Sequence, residues 1–192
     1  FLGLEAATVA MTGAALLLLL ANWGRDAEHQ SKHVLDAFNE VEWITIFFFV
    51  GLFIVVHGVD GTGLLKLLAD QMLALTGGDL TATSMVILWS SAILSAIIDN
   101  IPFVATMIPL IKAMAPTFGG PEGLMPLWWS LSLGACLGGN GTLIGASANL
   151  VVAGFAERAG QPIRFIQYTL MAFPIMLLSI AISMVYLYWR YL

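Results

Sequence analysis

Charge is scarce in this sequence. Only 10% of its 192 residues are Asp, Glu, Lys or Arg, against about a quarter in an ordinary soluble domain. Hydrophobic residues make up 59% and mean hydropathy is +0.92. A soluble globular domain is excluded, and the expectation is an all-α, multi-pass integral membrane protein embedded in the lipid bilayer. The seven Lys and Arg are scattered and net charge is −5, which excludes a nucleic-acid-binding face. Cysteine is nearly absent. The single Cys136 excludes an intrachain disulfide and a cysteine-based zinc site, and reads as a small packing residue. Gly139-Asn140-Gly141-Thr142 lacks the lysine of a phosphate-binding loop, so ATP hydrolysis is unsupported. No enzyme activity and no organic cofactor are expected. The chain begins at Phe1 without a signal-peptide pattern, and a segment of a longer polypeptide is expected.

What is present in excess is glycine, concentrated in one stretch. Gly134 to Asn149, GACLGGNGTLIGASAN, holds five glycines with Asn140, Thr142, Ser147 and Asn149 and no charge. Each glycine costs a helix interior about 1 kcal/mol relative to alanine, so the stretch is expected to break a helix. Irregular backbone at membrane depth survives only where it is buried in protein or lines a cavity. Transporters use such breaks to build substrate and ion sites. The competing reading is a packing seam, because Gly134/Gly138 and Gly141/Gly145 are GxxxG pairs. A seam, however, has no need of Asn140, Thr142 and Asn149.

Around this stretch the chain reads as follows. Residues 4–21 form a first span, with Glu5 interfacial. Residues 22–40 are polar and read as a solvated loop; His29 and His33 share a helical spacing without HExxH or cysteine beside them. Residues 41–59 form a second span with Glu42 and Trp43 at the interface, and His57 and Asp60 lie at its far end. Residues 61–76 read as an amphipathic interfacial helix, with Thr62, Lys66 and Asp70 on one face. Three regions follow: 1–77 scaffold-like, 78–162 transport-like, and 163–192 a last span with Pro174 as a kink point.

Residues 82–114 are apolar except at Asp99-Asn100-Ile101-Pro102. A charge at the bilayer centre costs at least about 2.5 kcal/mol, so it is normally kept for function. Asn100 before Pro102 reads as a cap for a new helix. The arms 82–98 and 102–114 reach only about 25 and 20 Å, and the second falls short of about 30 Å of hydrocarbon. A re-entrant hairpin with Asp99-Asn100 at its tip therefore fits better than one kinked span. Short helices at 126–137 and 147–157 flank the glycine-rich break, with Trp128 and Trp129 at the interface and Ser147 as a cap. With the 22–40 and 158–164 connections cytoplasmic, Arg25, Lys32, Arg158 and Arg164 lie inside. The tip and the break are then expected to meet near the midplane, where helix C-termini suit a cation and helix N-termini an anion. Candidate ion- or substrate-binding residues are Asp99, Asn100, Gly139, Asn140, Gly141, Thr142, Ser147 and Asn149. Asp99, Asn100 and Asn140 are the candidates to hold Na⁺, and Asp99 to exchange a proton instead.

The motifs LSAIIDNIPFVATMIPLI (94–111) and LGACLGGNGTLIGASANLVVAGFAERAG (133–160), with VEWITIFFFVGLFIVVHGV (41–59), resemble the ion transporter superfamily. The likeness is to its branch of arsenite permeases, sodium/proton antiporters and the melanosomal P-protein, and it spans about residues 40–190. The resemblance implies two inverted repeats, each with a re-entrant hairpin and a broken helix, in a homodimer working by elevator-type motion. By that likeness this chain is the C-terminal repeat. It is completed by a missing N-terminal repeat or a second chain, in a bacterial inner membrane. Asp99-Asn100 takes the place of the Ser-Asn-Thr hairpin tip of sodium/dicarboxylate relatives, with aspartate standing where they carry serine. Gly139 to Asn149 takes the place of their unwound helix. The expected function is secondary active transport of an inorganic ion or small anion coupled to Na⁺ or H⁺. Within that class lie arsenite efflux, Na⁺/H⁺ exchange and organic-anion transport; the contrasting classes are a non-transporting membrane scaffold and a passive channel.

Overall fold

The computed structural model describes residues 5–41 and 43–192. Glu42 and the first residue of the 4–21 span lie outside the described residues. These residues form nine α-helices and two 3₁₀ turns. The chain divides into two compact units, Phe1–Val50 and Gly51–Leu192, with the boundary inside a helix.

In the first unit, α1 (Ala6–Asn22) forms a helix where the first span is expected, but at 17 residues it is shorter than a membrane-crossing helix, and its leucines are exposed over most of its length. The 22–40 stretch departs from expectation, because it holds a helix, α2 (Ala27–Asn39), rather than a loop. The reason lies in its spacing. Val34, Leu35 and Phe38 sit one and four residues apart and give the segment an apolar stripe. Gln30 Nε2 also donates to the carbonyls of Asn22 (3.2 Å) and Arg25 (2.9 Å). It thereby ties the first turn of α2 to the end of α1 and to the connection that follows it. His29 pairs with Asp26 at 3.0 Å and both are exposed. Among the described residues no group of three His, Cys, Asp or Glu is placed to hold a metal.

The second unit takes in the end of α3 (Trp43–Gly61) and all that follows. The chain bends by 67° between α3 and α4 (Leu64–Thr76). Gly63 and Gly77 flank α4 in the left-handed region, at φ 78° and 63°, where a side chain would be strained. As expected, α4 is two-faced: Lys66 and Asp70 are exposed while Leu65 and Ala69 are buried. Its buried face is taken up by protein, because Ala69 joins a core with Phe103, Met107, Ile111 and Leu127.

The next elements are α5 (Leu80–Ser95), α6 (Asn100–Ala113), α7 (Met125–Gly138), α8 (Ser147–Arg158) and α9 (Phe165–Tyr191). Among the described helices, α9 alone is long and apolar enough to cross a membrane; α3 and α4 reach that length only as a bent pair. α9 runs through Pro174 as one helix. Trp129 stacks on Tyr191 near its end, at 5.8 Å between ring centroids, whereas Trp128 packs against the core.

Among the described helices α5 and α7 pack most extensively, and glycine lets them approach. A Cβ on Gly134 would lie 2.5 Å from the Leu88 carbonyl oxygen, and one on Gly138 2.5 Å from Ala92 Cα. The glycine-rich stretch is therefore two things in succession. Gly134 and Gly138 remain helical and form the seam, so the helix expected over 126–137 holds through the first two glycines of the stretch. The backbone leaves the α-helix only after Gly138, through a 3₁₀ turn (Gly139–Gly141), and is extended at Thr142 and Ala146. Helix continues to Gly138 because the backbone contact with α5 repays the cost of two helical glycines. Cys136 lies on the exposed side of α7 rather than in the packing.

Candidate ion and substrate site

The last turn of α5 is held on α7 by Ser95 Oγ, which donates to the Ala135 carbonyl at 2.8 Å. The chain then turns through residues 96–99 into α6. Asp99, not Asn100, caps α6: its Oδ1 accepts from the Ile101 amide at 3.0 Å. Sequence reasoning favoured Asn100 because it stands nearer to Pro102. Counting from the true cap, Pro102 is the third helical residue and has no N–H to offer. The cap bond therefore goes to the second residue, Ile101.

The segment after α7 folds onto this turn. Thr142 Oγ1 donates to the Ala96 carbonyl and accepts from the Gly145 amide (3.1 Å). Thr142 is buried, as are Gly139, Gly141 and Gly145. The approach is close enough that a Cβ on Gly145 would lie 2.8 Å from the Ser95 carbonyl oxygen and 2.6 Å from that of Gly139. Asn149, in the first turn of α8, donates through Nδ2 to the carbonyls of Gly139 and Thr142, each at 3.0 Å. These are carbonyls that a helix break leaves without amide partners.

Ser147 does not cap α8. Ala146 is the N-cap residue and Ser147 is the first helical residue. Its hydroxyl instead donates to Asp99 Oδ2 at 2.6 Å. One carboxylate thus lies at the N-terminus of α6 and is bonded to a side chain in the first turn of α8. Both helix ends carry partial positive charge, so Asp99 supplies the anion that they favour.

Two predicted residues stand apart from this cluster. Asn140 is exposed, and its Nδ2 reaches back to the Cys136 carbonyl at 3.4 Å. Asn100 lines a groove of about 300 Å³ with Val104, Ile108 and Cys136 and makes no hydrogen bond to the 139–149 segment. Among the described residues no hydrogen bond joins the side chains of Asp99, Asn100 and Asn140. Two participants escaped the sequence reading. Ser95 anchors the end of α5, and its spacing from Ser84 and Ser91 along one face is a legible signal. Tyr168 on α9 donates to the Asn140 carbonyl at 3.2 Å; a tyrosine near the start of an apolar helix reads equally well as an interface anchor.

Comparison with known proteins decides the family. The citrate transporter family (CitMHS) matches residues 4–134, more than half of the chain. The chain belongs to the citrate transporter family. It is therefore a member of a family of membrane transporters and not of an enzyme family. This family member is 42% identical over 190 residues to an uncharacterized transporter of Mycobacterium tuberculosis, covering 99% of the chain and 42% of that protein. It is 39% identical over 184 residues to the 46 kDa membrane protein of Mycobacterium leprae, covering 96% and 41%. To the P protein of Mus musculus it is 39% identical over 191 residues, covering 96% and 22%. The chain thus spans about two fifths of its bacterial relatives and about a fifth of the P protein. No solved structure matches. The family match begins at residue 4, well before the 40–190 region where the motifs lie, and stops before the 139–149 segment.

Proposed function

We propose that this chain is one half of a secondary active transporter that moves a small anion or inorganic ion coupled to Na⁺ or H⁺. The observation that carries the reading is the hydrogen bond from Ser147 to Asp99, which joins the turn between α5 and α6 to the start of α8. In this reading α5 and α6 are the arms of a re-entrant hairpin, and 139–146 is the break in a discontinuous helix. The coupling cation binds at Asp99. When the carboxylate takes a proton or Na⁺, its negative charge no longer compensates the ends of α6 and α8. Ser147 and the two helix N-termini then become available to an anionic solute. Thr142 and Asn149 shape the same site, with Gly139 and Gly141 allowing the backbone to approach, while Asn100 and Asn140 flank it from outside the hydrogen-bonded cluster. The family description supports a small organic carboxylate as the anion. Kinship with proteins of which this chain covers about two fifths supports a partial transporter completed by further chain. The motif resemblance is the basis for taking it as a C-terminal repeat, completed by an N-terminal repeat or a second chain, in a homodimer with elevator-type motion. The proposed location is a bacterial inner membrane; membership in a membrane transporter family supports the membrane itself.

The test is uptake into proteoliposomes by the full-length protein, with citrate, arsenite and other small anions, and with imposed Na⁺ or H⁺ gradients. Saturable, gradient-driven flux is expected. Flux that neither saturates nor responds to a gradient points to a channel, and a folded protein that moves none of these solutes points to a scaffold.

A further inference from the structure

The two faces of α2 differ sharply. Val34, Leu35 and Phe38 lie together on one side, and Lys32, Asp36, His29 and His33 occupy the other by helical spacing. The apolar side is uncovered, with Val34 37%, Leu35 63% and Phe38 51% exposed, and α2 has no buried residue. A tryptophan stands just beyond each end. Trp23, before α2, is 83% exposed. Trp43, after it, stacks on Phe38 with centroids 6.2 Å apart and donates from Nε1 to the Phe38 carbonyl at 3.1 Å. Gln30 fixes the other end of α2 to the Asn22 carbonyl that ends α1 and to the Arg25 carbonyl in the connection.

We propose that α2 lies in the plane of the bilayer surface, with Val34, Leu35 and Phe38 in lipid and Trp23 and Trp43 marking the interface at its two ends. Lipid is the occupant because the apolar side of α2 is uncovered beside a second uncovered apolar helix of a membrane protein, with Val34 lining one groove with Leu18 and Leu19. The neighbouring α1 exposes Leu16, Leu17, Leu19 and Leu20, and the chain belongs to a family of membrane transporters. Tryptophan favours the level of the headgroups, and a helix with one apolar and one charged face lies at that level rather than across the membrane. Charge does not drive the contact. Residues 22–40 carry two cations, Arg25 and Lys32, against Asp26, Glu28, Asp36 and Glu40. Immersion therefore rests on apolar and aromatic burial and does not require anionic lipid.

The test uses the full-length protein in nanodiscs, with native cysteines replaced and a spin label placed singly at 32, 34, 35, 36 or 38. These positions are exposed or partly exposed, so a label displaces no packed core. Accessibility to oxygen relative to a water-soluble nickel reagent is expected to be several-fold higher at 34, 35 and 38 than at 32 and 36, with or without anionic lipid. A flat, water-accessible profile would overturn the proposal in favour of a solvated helix. Exclusion of both reagents at 34, 35 and 38 would overturn it in favour of a covering protein segment or second copy. Immersion only with anionic lipid would overturn the apolar basis of the contact.

Discussion

Asp99 accepts two hydrogen bonds from different parts of the chain, one from the Ile101 amide and one from the Ser147 hydroxyl. Replacing Ser147 by Ala removes only the second. Bonds to charged groups are worth about 1.5–3 kcal/mol when well formed, less where solvent screens them, and Ser147 is exposed. A loss of about 1 kcal/mol, roughly fivefold, is expected in the rate of coupled uptake, with folding intact by gel filtration. A rate equal to wild type would show that the bond has no part in transport. Asn149 has a different task. Its amide satisfies the Gly139 and Thr142 carbonyls together, so Asn149→Ala leaves both unpaired. The expected cost is about 1–3 kcal/mol, read as a lower melting temperature in detergent; an unchanged melting curve would mean that water replaces the side chain at no cost. Asp99 was legible from sequence because a lone carboxylate in an apolar run has few structural uses. The partner of Ser147 was not, because Asp99 and Ser147 are far apart in sequence and a serine at a helix start reads first as a cap.

At the scale of elements, the glycines of α7 and those of the break answer to different neighbours. A Cβ on Gly138 would strike the backbone of Ala92, which cannot move without shifting α5. A Cβ on Gly141 would meet side-chain atoms instead, Met176 Cε at 3.0 Å and Ala96 Cβ and Phe173 Cδ2 at 3.3 Å, so each need give by only a few tenths of an ångström. Gly138→Ala is therefore expected to destabilise by about 1–3 kcal/mol or more, and Gly141→Ala by much less, in parallel thermal melts. The reverse order would remove the seam between α5 and α7. Ser91 lies in that seam, fully buried and with no hydrogen-bond partner. Ser91→Ala is expected to hold or raise the melting temperature, because an unpaired buried hydroxyl is costly. A large loss of stability would reveal a partner for the hydroxyl. Glycine content alone placed the irregular segment but not its start, since glycine serves close helix packing as well as helix breaking. For α2 the polar composition hid the stripe of Val34, Leu35 and Phe38, which needs a helical register before it can be seen.

At the scale of the molecule, this family member covers about two fifths of its bacterial relatives. A site between the turn at Asp99 and the start of α8 is one half of the machinery proposed for transport. Hydropathy made the last span and the short arms around Asp99 legible, because length against membrane thickness is a strong constraint. The span expected at 4–21 forms a helix of only 17 residues, and the one expected at 41–59 reaches membrane length only as a bent pair with α4. The α5–α7 pairing was not legible, since most of these helices are apolar on every side. The most direct test of the coupling role of Asp99 is gradient-driven uptake by the full-length Asp99→Asn protein in proteoliposomes beside wild type. Asn keeps the shape and can still cap α6, but it cannot carry the exchangeable charge. Loss of gradient-driven accumulation, with the protein folded, is the predicted result. Coupled flux at the wild-type rate in Asp99→Asn would contradict it and place the coupling cation elsewhere.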